Sequence, residues 1–216
     1  MVRLVIRRFQ QAPGLENVHR GCTHGRSASV TESTSPAGIE LALMHPDAYK
    51  YVASQSSLII APDMSVVEIG GRDIHGSVRS LFQACRYTAI DLIPGPGVDI
   101  VADGAEWRPS TPADCVVCCE VLEHTRKVKA IINNAAMMLR QSGRLIVTCA
   151  GRHRQPYSPI DGGPPRPGEF YHNIELELIL RILAEPDRST GYSRWQRFEC
   201  SVGRSGQDVF FYAIRS

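Results

Sequence analysis

The clearest hydrophobic pattern along the chain is a series of short apolar runs that alternate with segments of helical periodicity. The runs predict strands at residues 65–69, 87–92, 98–102, 115–119 and 144–149, and the segments between them predict helices at 77–84 and 127–139. Strands without polar alternation are buried on both faces, and helices separate them here. The pattern therefore predicts a parallel sheet that is covered by helices on both sides.

The C-terminal part of the chain has a different pattern. A helix is predicted at residues 174–183, and two strand-like runs follow at 195–202 and 209–214. The connection between these runs has the length of a hairpin turn, so the two strands should pair antiparallel. We therefore expect an α/β fold with a mostly parallel sheet and an antiparallel strand at its C-terminal end.

The N-terminal part is the least regular. Residues 10–38 are rich in Gly, Ser, Thr, Pro and His and have no sustained periodicity. This composition predicts an irregular arm over residues 1–40. A helical pattern starts at Ile39, and the remaining length suits one domain with a full core, over residues 41–216.

Composition and charge restrict the classes of partner. The chain is 43% hydrophobic and 21% charged, and its formal net charge is +2. A charge so close to neutral argues against nucleic acid or an anionic membrane surface as a partner. The apolar runs are too short for a transmembrane helix or a signal peptide, so we expect a cytoplasmic protein.

The cysteine pattern raises the question of a zinc site. Cys115, Cys118 and Cys119 lie close together in sequence, and His124 would be the fourth ligand. The three cysteines belong to a predicted buried strand, where side chains alternate between opposite faces, so their thiols cannot easily converge on one ion. We expect no metal.

Polar or glycine residues follow the ends of successive strands. Gly70 and Gly71 end the first strand, and such a turn lets the backbone approach a nucleotide closely. Asp91 ends the second strand, where a carboxylate can bind both hydroxyls of a ribose. Asp103 follows the third strand, and Glu120 follows the fourth, at the position where doubly wound sheets bind their ligands.

The order of these motifs resembles a known family. Five motifs follow one another in the order found in class I S-adenosyl-L-methionine (SAM)-dependent methyltransferases. They are Val-Glu-Ile-Gly, Ala-Ile-Asp-Leu, Ala-Asp-Gly, Glu-Val-Leu-Glu-His and Ser-Gly-Arg-Leu-Ile-Val-Thr. The methyltransferase type 11 group is the most similar. The resemblance covers residues 63–149 by motif and continues to the C-terminus by topology. It implies a Rossmann-like doubly wound sheet of seven strands with an antiparallel C-terminal strand, SAM as cofactor, and methyl transfer as the activity.

The resemblance also implies roles for single residues. The methionine part of SAM would lie beside Glu68, Gly70 and Gly71, and Asp91 would hold the ribose. The other expected cofactor-binding residues are Leu92, Asp103 and Gly104 around the adenine, and Glu120 beside the sulfonium.

The glycine turn departs from the family pattern. The usual Gly-x-Gly-x-Gly turn has Gly70, Arg72 and Ile74 at its three glycine places here. We expect Asp73 to contact the amino group of the methionine part.

The longest segment without a predicted helix or strand is residues 150–171, which contain five prolines. Because it follows the fifth strand, we expect a substrate lid over the cofactor pocket. A hydroxyl acceptor would need a base, and His153 has a suitable ordinary pKa. The further candidates are Tyr157, Tyr171 and His172, and also His124, which could equally be a structural residue at a helix start.

Missing motifs narrow the acceptor. Neither the Asn/Asp-Pro-Pro-aromatic motif of DNA amino-methyltransferases nor the Pro-Cys pair of cytosine-C5 enzymes occurs. We therefore expect in-line O-methylation of a small molecule or a saccharide. Two alternatives stay open: a catalytically silent module of the SAM-binding fold, which the altered turn would suit, and an NAD-dependent oxidoreductase, whose Gly-x-Gly-x-x-Gly turn is missing.

Overall fold

The strands of the protein form one mixed sheet. The computed structural model describes residues 3–6 (as backbone), 45–58, 61–74 and 76–216. The strand order is β1-β7-β8-β6-β5-β2-β3-β4. In chain order the strands are β1 (Arg3–Ile6), β2 (Ser65–Ile69), β3 (Arg86–Asp91), β4 (Ile100–Val101), β5 (Ala113–Cys119), β6 (Leu139–Ala150), β7 (Trp195–Val202) and β8 (Asp208–Arg215).

The direction of the strands agrees with the sequence. β2 pairs parallel with β3 and β5, and β5 pairs parallel with β6. Among the described strands only β8 is antiparallel to its neighbours, β6 and β7. The predicted seven-stranded sheet, mostly parallel with an antiparallel C-terminal strand, is therefore confirmed.

An eighth strand lies at the edge of this sheet. β1 pairs parallel with β7, so residues 3–6 correct the prediction of an irregular arm over residues 1–40. The reason is physical: an apolar, β-branched run can satisfy its backbone groups on the open edge of β7. Residues 1–2 and 7–44, which hold the rest of that arm and the predicted helix start at Ile39, lie outside the described residues.

Helices cover both faces of the sheet, as predicted. α2 (Val128–Met138) and α3 (Leu176–Ala184) pack on one face, and α1 (Pro46–Ser56) packs on the other. The free thiols of β5 follow the alternation of the strand. Cys118 belongs to the core on the side of α2 and α3, whereas Cys115 and Cys119 belong to the core on the side of α1. No helix in the described ranges is long and apolar enough to cross a bilayer.

Two predicted helices differ in detail. The segment 77–84 contains only a single 3-10 turn, Arg79–Phe82. The Ser77 hydroxyl accepts the Arg79 amide at 3.0 Å, and such local bonds compete with helical ones. α2 ends at Met138 and the chain enters β6 directly, because Leu139 already pairs with Ala113.

One buried amide connects α2 to the segment after β4. Asn134 is 1% exposed, and its Nδ2 donates to the carbonyls of Gly104 at 3.0 Å and Trp107 at 2.8 Å. Its Oδ1 accepts from Arg108 Nε at 2.8 Å. This residue therefore fixes the backbone that carries Asp103.

Asn134→Ala should lower the free energy of unfolding by about 2–3 kcal/mol, because two inward-facing carbonyls lose their donor. Asn133→Ala is the matched control, since Asn133 makes a single side-chain bond to the described residues, with Arg194 at 3.0 Å, and its loss should cost less than about 1 kcal/mol. Urea unfolding measures both. Equal costs would mean that Asn134 does not hold this segment.

Candidate functional site

A cavity of about 1000 Å³ lies where β2, β3, β4 and β5 end. The 151–175 loop, which connects β6 to α3, lines the opposite wall. Parallel strands end at the same edge of a sheet, and this edge is where open α/β sheets bind ligands. Residues from distant parts of the chain therefore face one space.

Most of the residues predicted to bind the cofactor line this cavity. They are Glu68, Gly70, Gly71, Asp91, Leu92, Asp103, Gly104 and Glu120. Asp73 does not line it. The Asp73 carboxylate is exposed and accepts the Gly76 amide at 2.8 Å, so it serves the local turn.

Asp91 is held by backbone donors at the end of β3. Its Oδ1 accepts the Ile93 amide at 3.0 Å, and its Oδ2 accepts the Arg72 amide at 3.3 Å. Each carboxylate oxygen can accept a second bond, so both remain able to accept a hydroxyl of a ligand. The backbone bonds therefore orient the carboxylate but do not use all of its capacity to accept hydrogen bonds.

Asp103 has more complete partners. Its Oδ1 accepts the Ala105 amide at 2.8 Å, and its Oδ2 lies 2.7 Å from Lys127 Nζ. The hydrogen bond from Lys127 lowers the pKa of Asp103, so the carboxylate is ionised at neutral pH. Its neighbour Gly104 allows close packing, since a β-carbon there would lie 2.4 Å from Ile69 Cγ2.

The glycine turn is required by the protein's own packing. Gly70 has a φ of +78°, and a β-carbon there would lie 2.1 Å from Val121 Cγ2. At Gly71 a β-carbon would lie 2.5 Å from Ala89 Cβ. Both positions exclude larger residues, because the turn passes close to β3 and to the segment after β5.

Arg72, at a place where the resembling family has glycine, connects this turn to the 151–175 loop. Its guanidinium donates to the carbonyls of Pro159 at 2.7 Å and Ile160 at 3.3 Å. The departure from the glycine pattern thus has a structural role that the sequence did not reveal. It holds the loop against the cavity.

A group of ionisable side chains, which are buried or half-buried, forms the wall near β5 and β8. We call it the carboxylate cluster, and it consists of Glu120, Glu123, Arg154, Tyr157 and Asp208. Arg154 pairs with Glu120 Oε2 at 3.1 Å and also with Asp208. Tyr157 donates to Glu123 Oε1 at 2.5 Å, and its hydroxyl lies 3.4 Å from Glu120 Oε2.

Backbone and neighbouring groups hold these acids in place. Glu123 Oε1 also accepts the Ala150 amide at 3.1 Å, and Glu120 Oε1 accepts the Thr148 hydroxyl at 3.1 Å. Glu123 and Asp208 are both fully buried. Glu120 and Asp208 therefore share the Arg154 guanidinium, whereas Glu123 is held by Tyr157 and the Ala150 amide.

Burial changes the protonation of this wall. It raises the pKa of Glu123 to about 8, and the charge of Glu120 adds to that effect. Burial likewise raises the pKa of Glu68 to about 7. The pKa of Glu120 is also raised by burial, although Arg154 opposes the shift.

The three main candidates for a catalytic role, His153, Tyr157 and His124, are placed differently. Tyr157 and His124 line the cavity, whereas His153 is exposed and its ring packs beside Gly206 in the β7–β8 turn. The structure therefore does not bring His153 to the site. The His124 ring makes edge-to-face contacts with the rings of Tyr157 and Tyr171, with 4.7 and 5.3 Å between ring centroids. Burial lowers the pKa of His124 to about 4.

One group has the composition of a metal site. Ligand atoms of His45, Asp47 and Asp208 lie within 4.8 Å of one another. His45 Nδ1 is 3.0 Å from Asp208 Oδ2, and Arg154 pairs with the other oxygen of Asp208. The positive charge of Arg154 opposes a cation there, so we assign this group to the ion pairs of the cluster.

Several site residues were not foreseen from the sequence as functional. Arg72, Arg154 and Asp208 had no recognisable motif, and Glu123 was seen only as part of the Glu-Val-Leu-Glu-His segment. The signal for Glu123 in the sequence was its place in the first turn after a buried strand.

Comparison with known proteins supports the fold. No protein-family model matches the sequence, and no curated protein matches it. Among solved structures, the DhpI complex with S-adenosylhomocysteine (SAH) has a TM-score of 0.52 at 17% identity, over 76% of this chain and 83% of that one. N-methyltransferase NodS from Bradyrhizobium japonicum WM9, in complex with SAH, has a TM-score of 0.51 at 18% identity, over 79% and 86%.

A third similar structure is 1,6-didemethyltoxoflavin-N1-methyltransferase from Burkholderia thailandensis, with bound 1,6-didemethyltoxoflavin and SAH. Its TM-score is 0.51 at 15% identity, over 82% of this chain and 80% of that one. At these identities the likeness concerns the fold. The chain has the Rossmann-like fold of class I SAM-dependent methyltransferases.

The raised pKa of Glu123 predicts how stability depends on pH. Between about pH 4.5 and 8 the folded protein keeps a proton that the unfolded chain has lost, so stability should fall as pH rises, by at most about 1.4 kcal/mol per pH unit. Glu123→Gln has no such proton. The free energy of unfolding of Glu123→Gln, relative to that of the wild type, should therefore increase as the pH rises from 5 to 8.5. Urea titrations measure both.

Glu185→Gln is the control for this measurement. Lys129 lowers the pKa of Glu185, so this carboxylate is ionised in both states over the whole window. The difference between Glu185→Gln and wild type should stay constant with pH. Parallel curves for Glu123→Gln and wild type would contradict the assignment of the proton to Glu123.

Proposed function

We propose that this protein is a SAM-dependent methyltransferase that methylates a hydroxyl group of a small molecule or a saccharide. The observation that carries the proposal is the shared cavity, which is lined by Glu68, Asp91, Asp103 and Glu120 from the ends of four successive strands. The fold is that of NodS and the toxoflavin methyltransferase, both of which were solved with SAH. We also propose a cytoplasmic location.

The described residues fit SAM on several counts. A volume of about 1000 Å³ accommodates a nucleoside-sized ligand together with a small acceptor. Glu68 is 3% exposed, lines the cavity, and has an Oε2 without a hydrogen-bond partner among the described residues. A buried polar atom without a partner is costly, and an amino group of a ligand would satisfy it.

Each residue has a distinct task in the proposed mechanism. When bound, SAM supplies a methyl group that is already activated by its sulfonium. Asp91 binds the ribose hydroxyls, the backbone around Asp103 and Gly104 faces the adenine, and Glu120 provides negative charge near the sulfonium. Positioning of this kind contributes roughly 7–11 kcal/mol in favourable cases.

The 151–175 loop is the proposed substrate lid. Residues 154–160 of the loop line the cavity, and Arg72 holds it there. Closure over the reacting groups excludes water, which strengthens electrostatic interactions inside the site. The acceptor would then enter beside Tyr157 and His124, which both face the cavity.

The protein should bind SAM and SAH but not NAD. Isothermal titration calorimetry with the three ligands measures this directly, and it also separates the proposal from an oxidoreductase. Saturable heat with NAD and none with SAM would contradict the proposal. SAM binding without SAH formation, in the presence of candidate hydroxyl acceptors, would instead favour a silent binding module.

Asp91→Ala should weaken SAM binding by about ten- to a hundredfold, because charge-assisted bonds to the ribose hydroxyls are lost. Asp91→Asn should keep part of the affinity, since one acceptor oxygen remains. Asp73→Ala is the matched control, as Asp73 is an acid of the same region that does not line the cavity. Unchanged affinity in a folded Asp91→Ala would show that β3 does not hold the ribose.

A further inference from the structure

Tyr157 separates the cavity from a fully buried carboxyl group. Tyr157 lines the cavity, whereas Glu123 lies behind it and is 0% exposed. The Tyr157 hydroxyl donates to Glu123 Oε1 at 2.5 Å. Oε2 of Glu123 has no hydrogen-bond partner among the described residues. A short hydrogen bond thus connects the cavity wall to the carboxyl group of Glu123, which can accept a proton when it is ionised.

We propose that Glu123 accepts the proton of a hydroxyl acceptor through Tyr157, and that it gains this ability when the cationic methyl donor binds. The inference rests on the proposed function and extends it. Tyr157 is then the catalytic residue, because it faces the acceptor, and Glu123 acts through it.

The proton transfer balances without any further reactant. The acceptor hydroxyl gives its proton to the Tyr157 oxygen, and Tyr157 gives its own proton to Glu123 Oε1. The acceptor oxygen keeps the electron pair of its O–H bond and forms the new bond to the methyl carbon. The pair of the broken carbon–sulfur bond stays with sulfur. Glu123 ends neutral, and Tyr157 is unchanged.

The charges around Glu123 explain why a bound cation matters. The ionisable groups that face it are Cys118 from β5, Glu120 directly after β5, Cys149 from β6, and Tyr157 and Tyr171 from the 151–175 loop. Asp208, at the start of β8, faces Glu120 and also forms an ion pair with Arg154. The Arg154 guanidinium is thus divided between Glu120 and Asp208.

Without a ligand, the proton stays on Glu123 at neutral pH, because burial and the Glu120 charge hold its pKa at about 8. A positive charge in the cavity beside Glu120 offsets that repulsion and lowers the pKa. SAM carries this charge on its sulfur, whereas the sulfur of SAH is neutral. Binding of SAM, but not of SAH, should therefore release the proton and prepare the base.

Calorimetry can measure this release without knowledge of the acceptor. Titrations with SAM and with SAH at pH 7.5, in phosphate and in Tris, give the protons released per ligand from the difference in buffer ionisation heat. We expect SAM to release roughly half a proton more than SAH. The comparison with SAH removes the contribution of Glu68, since both ligands carry the same amino group.

Variants assign the released proton to a residue. Glu123→Gln should abolish the difference between SAM and SAH while its SAM affinity stays within a few-fold of wild type. Glu185→Gln, remote from the cavity, should keep the full difference. Tyr157→Phe removes a bond that lowers the pKa of Glu123, so the pH of maximal proton release should move upward. This shift tests the proposal even if Glu123→Gln fails to fold.

The outcomes separate the inference from the function on which it rests. Equal proton release with SAM and SAH, or a difference that survives in Glu123→Gln, would overturn the inference while leaving SAM binding intact. Absence of SAM binding would overturn both. Once an acceptor is found, Tyr157→Phe and Glu123→Gln should each lower kcat by about a hundredfold or more, with little change in KM.

Discussion

The parallel pairing of β2, β3, β4, β5 and β6 places all their carboxyl ends at one edge of the sheet. Glu68, Asp91 and Glu120 are far apart in sequence, yet this pairing alone brings them to one cavity. The glycines at 70 and 71 follow from the same constraint, since the turn after β2 must pass between β3 and the segment after β5. The cofactor site depends on strand direction before it depends on any single side chain.

The antiparallel strand adds an acid to this edge. β8 begins where β6 ends, because Asp208 pairs with Ala150, so its first side chain reaches the place where the parallel strands finish. Asp208 is fully buried there and shares Arg154 with Glu120. Buried charges of one sign are costly unless they are paired. The cluster therefore keeps buried acids beside the cavity at a cost in stability.

The sheet could be predicted from the sequence because its signals are local. Uninterrupted apolar runs mark buried strands, and the bounds predicted for β7 agree with the structure. The same signals located Glu68, Asp91 and Glu120, because each lies at or next to the predicted end of a strand. The carboxyl ends of parallel strands share one edge of the sheet. β1 was missed because its pairing with β7 joins the two ends of the chain.

The acceptor side of the cavity could not be predicted in this way. His153 and Arg154 are neighbours in a loop without periodicity, and only the fold determines that Arg154 turns inward and His153 outward. The contacts of Arg72 with Pro159 and of Tyr157 with Glu123 each join distant segments. Such pairs depend on how the 151–175 loop folds back over the sheet, which no local pattern encodes.

The most direct test of SAM binding at this edge is a crystal structure of the protein with SAH. We expect SAH in the cavity, with both ribose hydroxyls within hydrogen-bonding distance of Asp91. Its sulfur should lie on the side of Glu120 and Tyr157, and its adenine beside Asp103 and Leu92. SAH bound elsewhere, or with its ribose away from Asp91, would contradict the assignment of this cavity to the methyl donor.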